Sequence, residues 1–114
     1  MIVETDNMLS VLDGYTLESV DDVSQKLAAD FRRRRIEKNL SREQLAEMAG
    51  VAVSNVVRFE QKGLVSLKNL IAMAIAMGYV SDVKNLFATP KYSTMEELTQ
   101  IRKNKNKKKA YRKG

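Results

Sequence analysis

The side chains with most chemistry to offer in this chain are its 20 Lys and Arg, and many of them come in two runs. One is Arg32-Arg33-Arg34-Arg35; the other is the tail, with Arg102, Lys103, Lys105, Lys107, Lys108, Lys109, Arg112 and Lys113. Guanidinium and ammonium groups at that density suit phosphate oxygens. On a helix, successive residues sit 100° apart, so four consecutive arginines point four ways. A solvated helix surface is therefore the alternative reading for Arg32 and Arg33. The tail is either a solubilising end or a non-specific DNA arm that acts by releasing counterions. Other chemistry is thin. With no Cys and no His, disulfides, thiolate nucleophiles, imidazole catalysis and the usual zinc sites are excluded. Asp21-Asp22 and Glu96-Glu97 read as charge at helix starts rather than as catalytic pairs. The five glycines are scattered and form no phosphate-cradling loop. No catalytic residue, metal site or cofactor is expected.

Length and charge place these residues in a setting. A chain of 114 residues suits one domain with tails, and 44% hydrophobic with 30% charged residues suits a soluble globule. The longest apolar run, Leu70 to Met77, has eight residues; a membrane span needs about 18. Residues 1–6 form no basic leader. These features lead to the expectation of a cytoplasmic, non-catalytic protein away from membranes. Charge is uneven: residues 1–30 hold seven acids and one base, residues 31–91 eleven bases and five acids, and residues 92–114 eight bases and two acids. A basic middle and tail beside an acidic head points to a polyanion partner.

Periodicity and caps predict an all-α chain. Ser19 with Asp22 opens a helix at about 20–38, with Val20, Val23, Leu27 and Phe31 at helical spacing and an end near Asn39. Ser41 with Gln44 is a capping box for a two-turn helix at 42–49, stopped by Gly50. A third helix at 53–61 turns Val56 and Phe59 inward. Ser66 caps a fourth at 67–77, Ser81 a fifth at 82–87, and Ser93-Thr94 a sixth at about 94–103. From Lys103 the chain is too polar to order alone. Residues 1–18 support no assignment. The expected organisation is an N-terminal arm (1–19), a five-helix domain (20–88), and a C-terminal helix with basic tail (89–114).

The stretch Leu40 to Glu60, LSREQLAEMAGVAVSNVVRFE, is the informative one. Two short helices joined by a tight turn need Leu45 and Val56 to meet and Ala46 to be small where they cross. They also need Gly50 at a positive φ and Val51 filling the inside of the turn. All are in register. That arrangement is a helix-turn-helix, whose second member lies in the DNA major groove.

The segment from about Leu27 to Met77 resembles the phage-repressor or Xre-type helix-turn-helix family. The pattern is Leu40-Ser41, Leu45-Ala46, Ala49-Gly50-Val51, then Ser54, Val56 and Arg58-Phe59-Glu60. The linker Gln61 to Leu67 resembles variants found beside HipA-type kinases, the HipB-like antitoxins. The resemblance implies a partner, double-stranded DNA, and roles by position. Arg42 would meet a phosphate. Val53, Ser54 and Asn55 would begin the recognition helix, with Arg58 one turn on. Lys62 and Lys68 would lie near the flanking backbone, as would the amides near Ser66. Relatives often carry Gln or Arg where Val53 stands; valine offers only apolar contact, so base reading would fall to Asn55 and Arg58, which favour adenine and guanine. The family also pairs the position of Arg35 with that of Glu60, across the first and third helices.

Leu70 to Met77 is apolar all round, so it must be covered all round. Leu67, Leu70, Ile71 and Ala74 suit the inner face, leaving Met73, Ile75 and Ala76 for the N-terminal segment, the sixth helix or a second subunit. Because relatives dimerise near the fourth and fifth helices, a homodimer is preferred. The resulting expectation is a homodimeric repressor reading a palindromic operator; the alternative is an antitoxin-like protein that restrains a toxin or kinase partner and autoregulates its operon.

Overall fold

Four of the helices start on a side chain that answers a first-turn amide. The structure, a computed structural model, describes residues 18–109. Among them are six helices, α1 (Val20–Glu37), α2 (Arg42–Ala49), α3 (Val53–Lys62), α4 (Leu67–Met77), α5 (Val80–Asn85) and α6 (Met95–Asn104), and no strand. Ser19 and Ser41 each close a full capping box, with Asp22 and Gln44. Ser66 and Thr94 accept from Asn69 N and Glu97 N. Three helix ends close alike, by a left-handed residue followed by a half-buried apolar one. Asn39 (φ 58°) precedes Leu40, Gly50 (φ 69°) Val51, and Gly78 (φ 83°) Tyr79. The amides of Leu40, Val51 and Tyr79 return to the carbonyls of Arg35, Ala46 and Ala74 at 3.3, 3.0 and 2.8 Å.

The described chain divides into two compact units, residues 18–80 and 81–109. The first holds the core: Ala28 and Phe31 from α1, Leu45 and Ala46 from α2, Val56 and Phe59 from α3, and Met73 and Met77 from α4. Leu45, Val56 and Met73 are shut off from solvent completely. Phe31 and Phe59 meet edge to face, centroids 5.0 Å apart, a geometry worth about 1 kcal/mol beyond the area it buries. In the second unit neither α5 nor α6 carries a buried residue. Leu86, Phe87, Tyr92 and Met95 are all exposed there.

Three expectations need correction. Val20, Val23 and Leu27 do not face inward; they are 84%, 44% and 54% exposed. The inward row is Ala28, Phe31 and Arg35, because α1 must offer Phe31 to Phe59 and Arg35 to Glu60. On α4 the buried residues are Met73, Ala74 and Met77, while Leu67 is exposed and Leu70 and Ile71 are half-buried. A helix apolar on every side carries no periodic signal to fix its rotation, and flexible Met73 fits the gap in the core. The fifth helix begins at Val80 rather than 82, directly after the α4 stop, so Ser81 lies inside its first turn. Phe87, assigned to that helix, instead lies beyond it at φ 66°.

Gly50 and Gly63 separate two reasons for a glycine. Both have positive φ, but a Cβ on Gly50 meets nothing within 4 Å. On Gly63 it would stand 3.0 Å from Ser24 Oγ and 3.2 Å from the Ser24 carbonyl carbon and oxygen on α1. Gly50→Ala should therefore cost about 1 kcal/mol, for the backbone conformation alone. Gly63→Ala should cost clearly more, because α1 must yield. Urea midpoints check this; equal losses would mean that α1 moves aside freely.

Candidate nucleic-acid interface

The α3 sequence sorts its own faces. Val56, Phe59 and Glu60 turn inward, and at 100° per residue Ser54, Arg58 and Gln61 share the opposite side. All three of the latter are exposed. Val53 is exposed and Asn55 half-buried, and they flank that row on either side. None of Ser54, Asn55 or Arg58 has a side-chain hydrogen bond or ion pair among the described residues. Ala52, which precedes the helix, makes no side-chain cap; the Asn55 amide donates instead to the Ala52 carbonyl at 3.0 Å. Lys62 ends α3 and Lys68 lies in the first turn of α4; both are exposed.

The positive character of this face depends on hiding one acid. Between residues 51 and 80 the only acid is Glu60, while Arg58, Lys62 and Lys68 are cations. The Glu60 side chain is 0% exposed and is held by two guanidiniums. Arg35 Nε donates to Oε2 at 2.6 Å and Nη2 to Oε1 at 2.8 Å. Arg35 Nη1 donates to the Leu40 carbonyl at 2.7 Å. Arg42 Nε adds a bond to Oε1 at 3.0 Å. The expected Arg35–Glu60 bridge is thus present and forked, and α1, α2 and α3 all end on one carboxylate. Burial pushes the Glu60 carboxyl up, but the hydrogen bonds from Arg35 and Arg42 outweigh it and hold the group below its usual 4.5. Arg35 is raised by its hydrogen bond to Glu60.

The run Arg32 to Arg35 splits as helix geometry requires. Arg35 is buried, Arg34 pairs with Glu37 at 3.2 Å, Arg33 pairs with Asp30 at 3.0 Å, and Arg32 is exposed. In the second unit Arg102 and Lys103 close α6, and residues 105–109 continue as turns and bends. The readings made for residues 1–17 and for Arg112 and Lys113 lie outside the described residues. Among the described residues no group of acids could hold a metal ion, and no helix is long and apolar enough to cross a membrane.

A short capped helix, a left-handed glycine stop and a second helix with its polar face open define a helix-turn-helix DNA-binding domain. Residues 31–83, just under half of the chain, match the family described as Helix-turn-helix, which supports a DNA-binding domain of the phage-repressor or Xre type in that segment, a class of transcriptional regulators. No curated protein matches the chain significantly.

Two features of the site were not read from the sequence. Gln61 lies three residues after Arg58 and seven after Ser54, so counting along α3 would have placed it on the outer row. That Arg42 bonds Glu60 could not be counted, because the two residues are 18 positions apart on different helices.

Breaking the bridge from one side strands the other partner in a poor solvent for charge. Glu60→Ala should cost about 3–5 kcal/mol. The pH dependence has a fixed sign. The folded value of Glu60 lies below its unfolded 4.5, so the unfolded chain binds more protons there. Its stabilisation is complete above the unfolded value and is lost as pH falls through the folded one. Urea midpoints between neutral pH and about pH 3 should therefore fall on acidification, and less so for Glu60→Gln.

Proposed function

We propose that this protein is a homodimeric repressor in the cytoplasm that reads a palindromic operator through the major groove, with no cofactor. The observation that carries this reading is the outer row of α3: Ser54 and Arg58 are open to solvent, without a partner, and beside no exposed acid between residues 51 and 80. In this reading Arg58 pairs with a guanine edge and Asn55 with an adenine edge, while Val53 packs on a thymine methyl and Ser54 tolerates either strand. Arg42, Lys62 and Lys68 grip phosphates on both sides and fix the register.

The dimer reading draws on α4. Leu67 and Ile75 lie two turns apart on one side of that helix and are 67% and 57% exposed. Apolar residues so placed gain by being covered, and a second copy would cover them while setting two recognition helices about 34 Å apart, one turn of DNA.

Selection from random duplex DNA at physiological salt tests the whole reading, since at low salt any basic protein binds DNA. The expected product is a palindrome with half-sites about ten base pairs apart. Arg58→Ala should then lose about 1–3 kcal/mol on that site and relax preference at one position. Equal loss on every sequence would make Arg58 a backbone contact. Recovery of no motif would move attention to a protein partner, the toxin or kinase of an antitoxin-like function.

A further inference from the structure

The two arginines on Glu60 are used differently. Arg35 has committed all three guanidinium nitrogens, two to the carboxylate and Nη1 to the Leu40 carbonyl, and its side chain is only 9% exposed. No ligand can recruit it. Arg42 has committed only Nε. Its two Nη groups have no partner among the described residues, and 29% of its side chain is open. A guanidinium is planar and rigid, so pinning Nε fixes the direction of the Nη pair. Arg35 already balances the single negative charge of Glu60, so Arg42 keeps its charge for another anion. Arg42 is also the only cation on α2.

We propose that Glu60 is a positioning residue for DNA binding, which holds Arg42 by Nε so that its Nη pair is presented to one backbone phosphate. The proposal rests on the reading of Arg42 as a phosphate contact. A long arginine left loose must give up rotamer freedom when it grips a phosphate; one already tethered gives up less. The carboxylate that locks α1 to α3 therefore also aims the grip of α2. Register on DNA and integrity of the fold depend on the same two oxygens.

The test is titration of the full chain with a random-sequence duplex about 30 base pairs long, followed by anisotropy over a salt series, with urea midpoints alongside. Arg42→Ala should weaken binding and lower the log–log salt slope by about 0.9, the share of one phosphate. Arg42→Lys leaves the Arg35–Glu60 fork intact and keeps the charge, but an ammonium cannot be aimed this way. It should keep the slope and lose about tenfold in affinity, the equivalent of one charge-assisted hydrogen bond. In a Glu60→Gln background the Arg42→Lys penalty should shrink; should Glu60→Gln fail to fold, Arg42→Lys decides alone. Arg42→Lys binding as well as the native protein would overturn the proposal, because a point charge would then suffice. Tighter binding by Glu60→Gln would also overturn it, since Glu60 would be sequestering Arg42. Unchanged affinity and slope in Arg42→Ala would remove the phosphate contact itself. Absence of DNA binding by the native chain would remove the wider reading.

Discussion

A carboxylate closed off from water must be answered by cations, and the Glu60 side chain is answered twice. Because Arg35 comes from α1 and Arg42 from the first position of α2, the answer fixes three helices about a point. The apolar core alone would not do this. Phe31, Leu45, Val56 and Phe59 pack without directional bonds, whereas a forked ion pair fixes the mutual orientation of its two groups. The Leu40 carbonyl, held by Arg35, adds the loop into α2 to the same joint. The helix-turn-helix is thus held in its angle by a polar joint set into the edge of its core. No buried side-chain polar atom among the described residues lacks a partner, so the joint leaves no uncompensated group behind.

The same joint shapes the electrostatics of the outer surface. An exposed glutamate at the end of α3 would repel phosphates from Arg58 and Lys62, its near neighbours in sequence. Turned inward and neutralised, it leaves that face carrying cations alone. On α2 the outward acids Glu43 and Glu47 stand opposite in sign, so Arg42 is the one group of that helix suited to an anion. The acids of α1 do comparable work. Lys26 and Arg33 are both drawn to Asp30, and Arg34 to Glu37, which leaves only Arg32 of the arginine run open to other anions. Surface pairs of this sort add little stability, but they set where positive charge remains available.

The second unit follows another rule. Thr94 caps α6, yet neither helix encloses anything: Leu86, Phe87, Tyr92 and Met95 are exposed. Residues 81–109, with few large apolar side chains, cannot exclude water from a centre of their own. Phe87 in the left-handed region, 93% exposed, is the extreme case.

What the sequence determined by itself was everything written in neighbours three or four residues apart. Ser19 with Asp22 and Ser41 with Gln44 set two helix starts. Gly50 and Gly78 set two helix stops, and Val56 with Phe59 set the inner side of α3. From these the helix-turn-helix is legible in the sequence alone. What only the tertiary structure decided was rotation and partnership. Val20, Val23 and Leu27 have helical spacing, yet the row that faces inward is set by Phe59 and Glu60, far along the chain. Helix α4 is apolar in every direction, so its own residues could not say that Met73 rather than Leu67 is shut in. Arg42 could be read as a phosphate ligand, but not as a ligand of Glu60. Local signals arise from backbone hydrogen bonds that close within a turn. Rotation and ion pairing arise from what the rest of the chain brings alongside, and no local spacing records that.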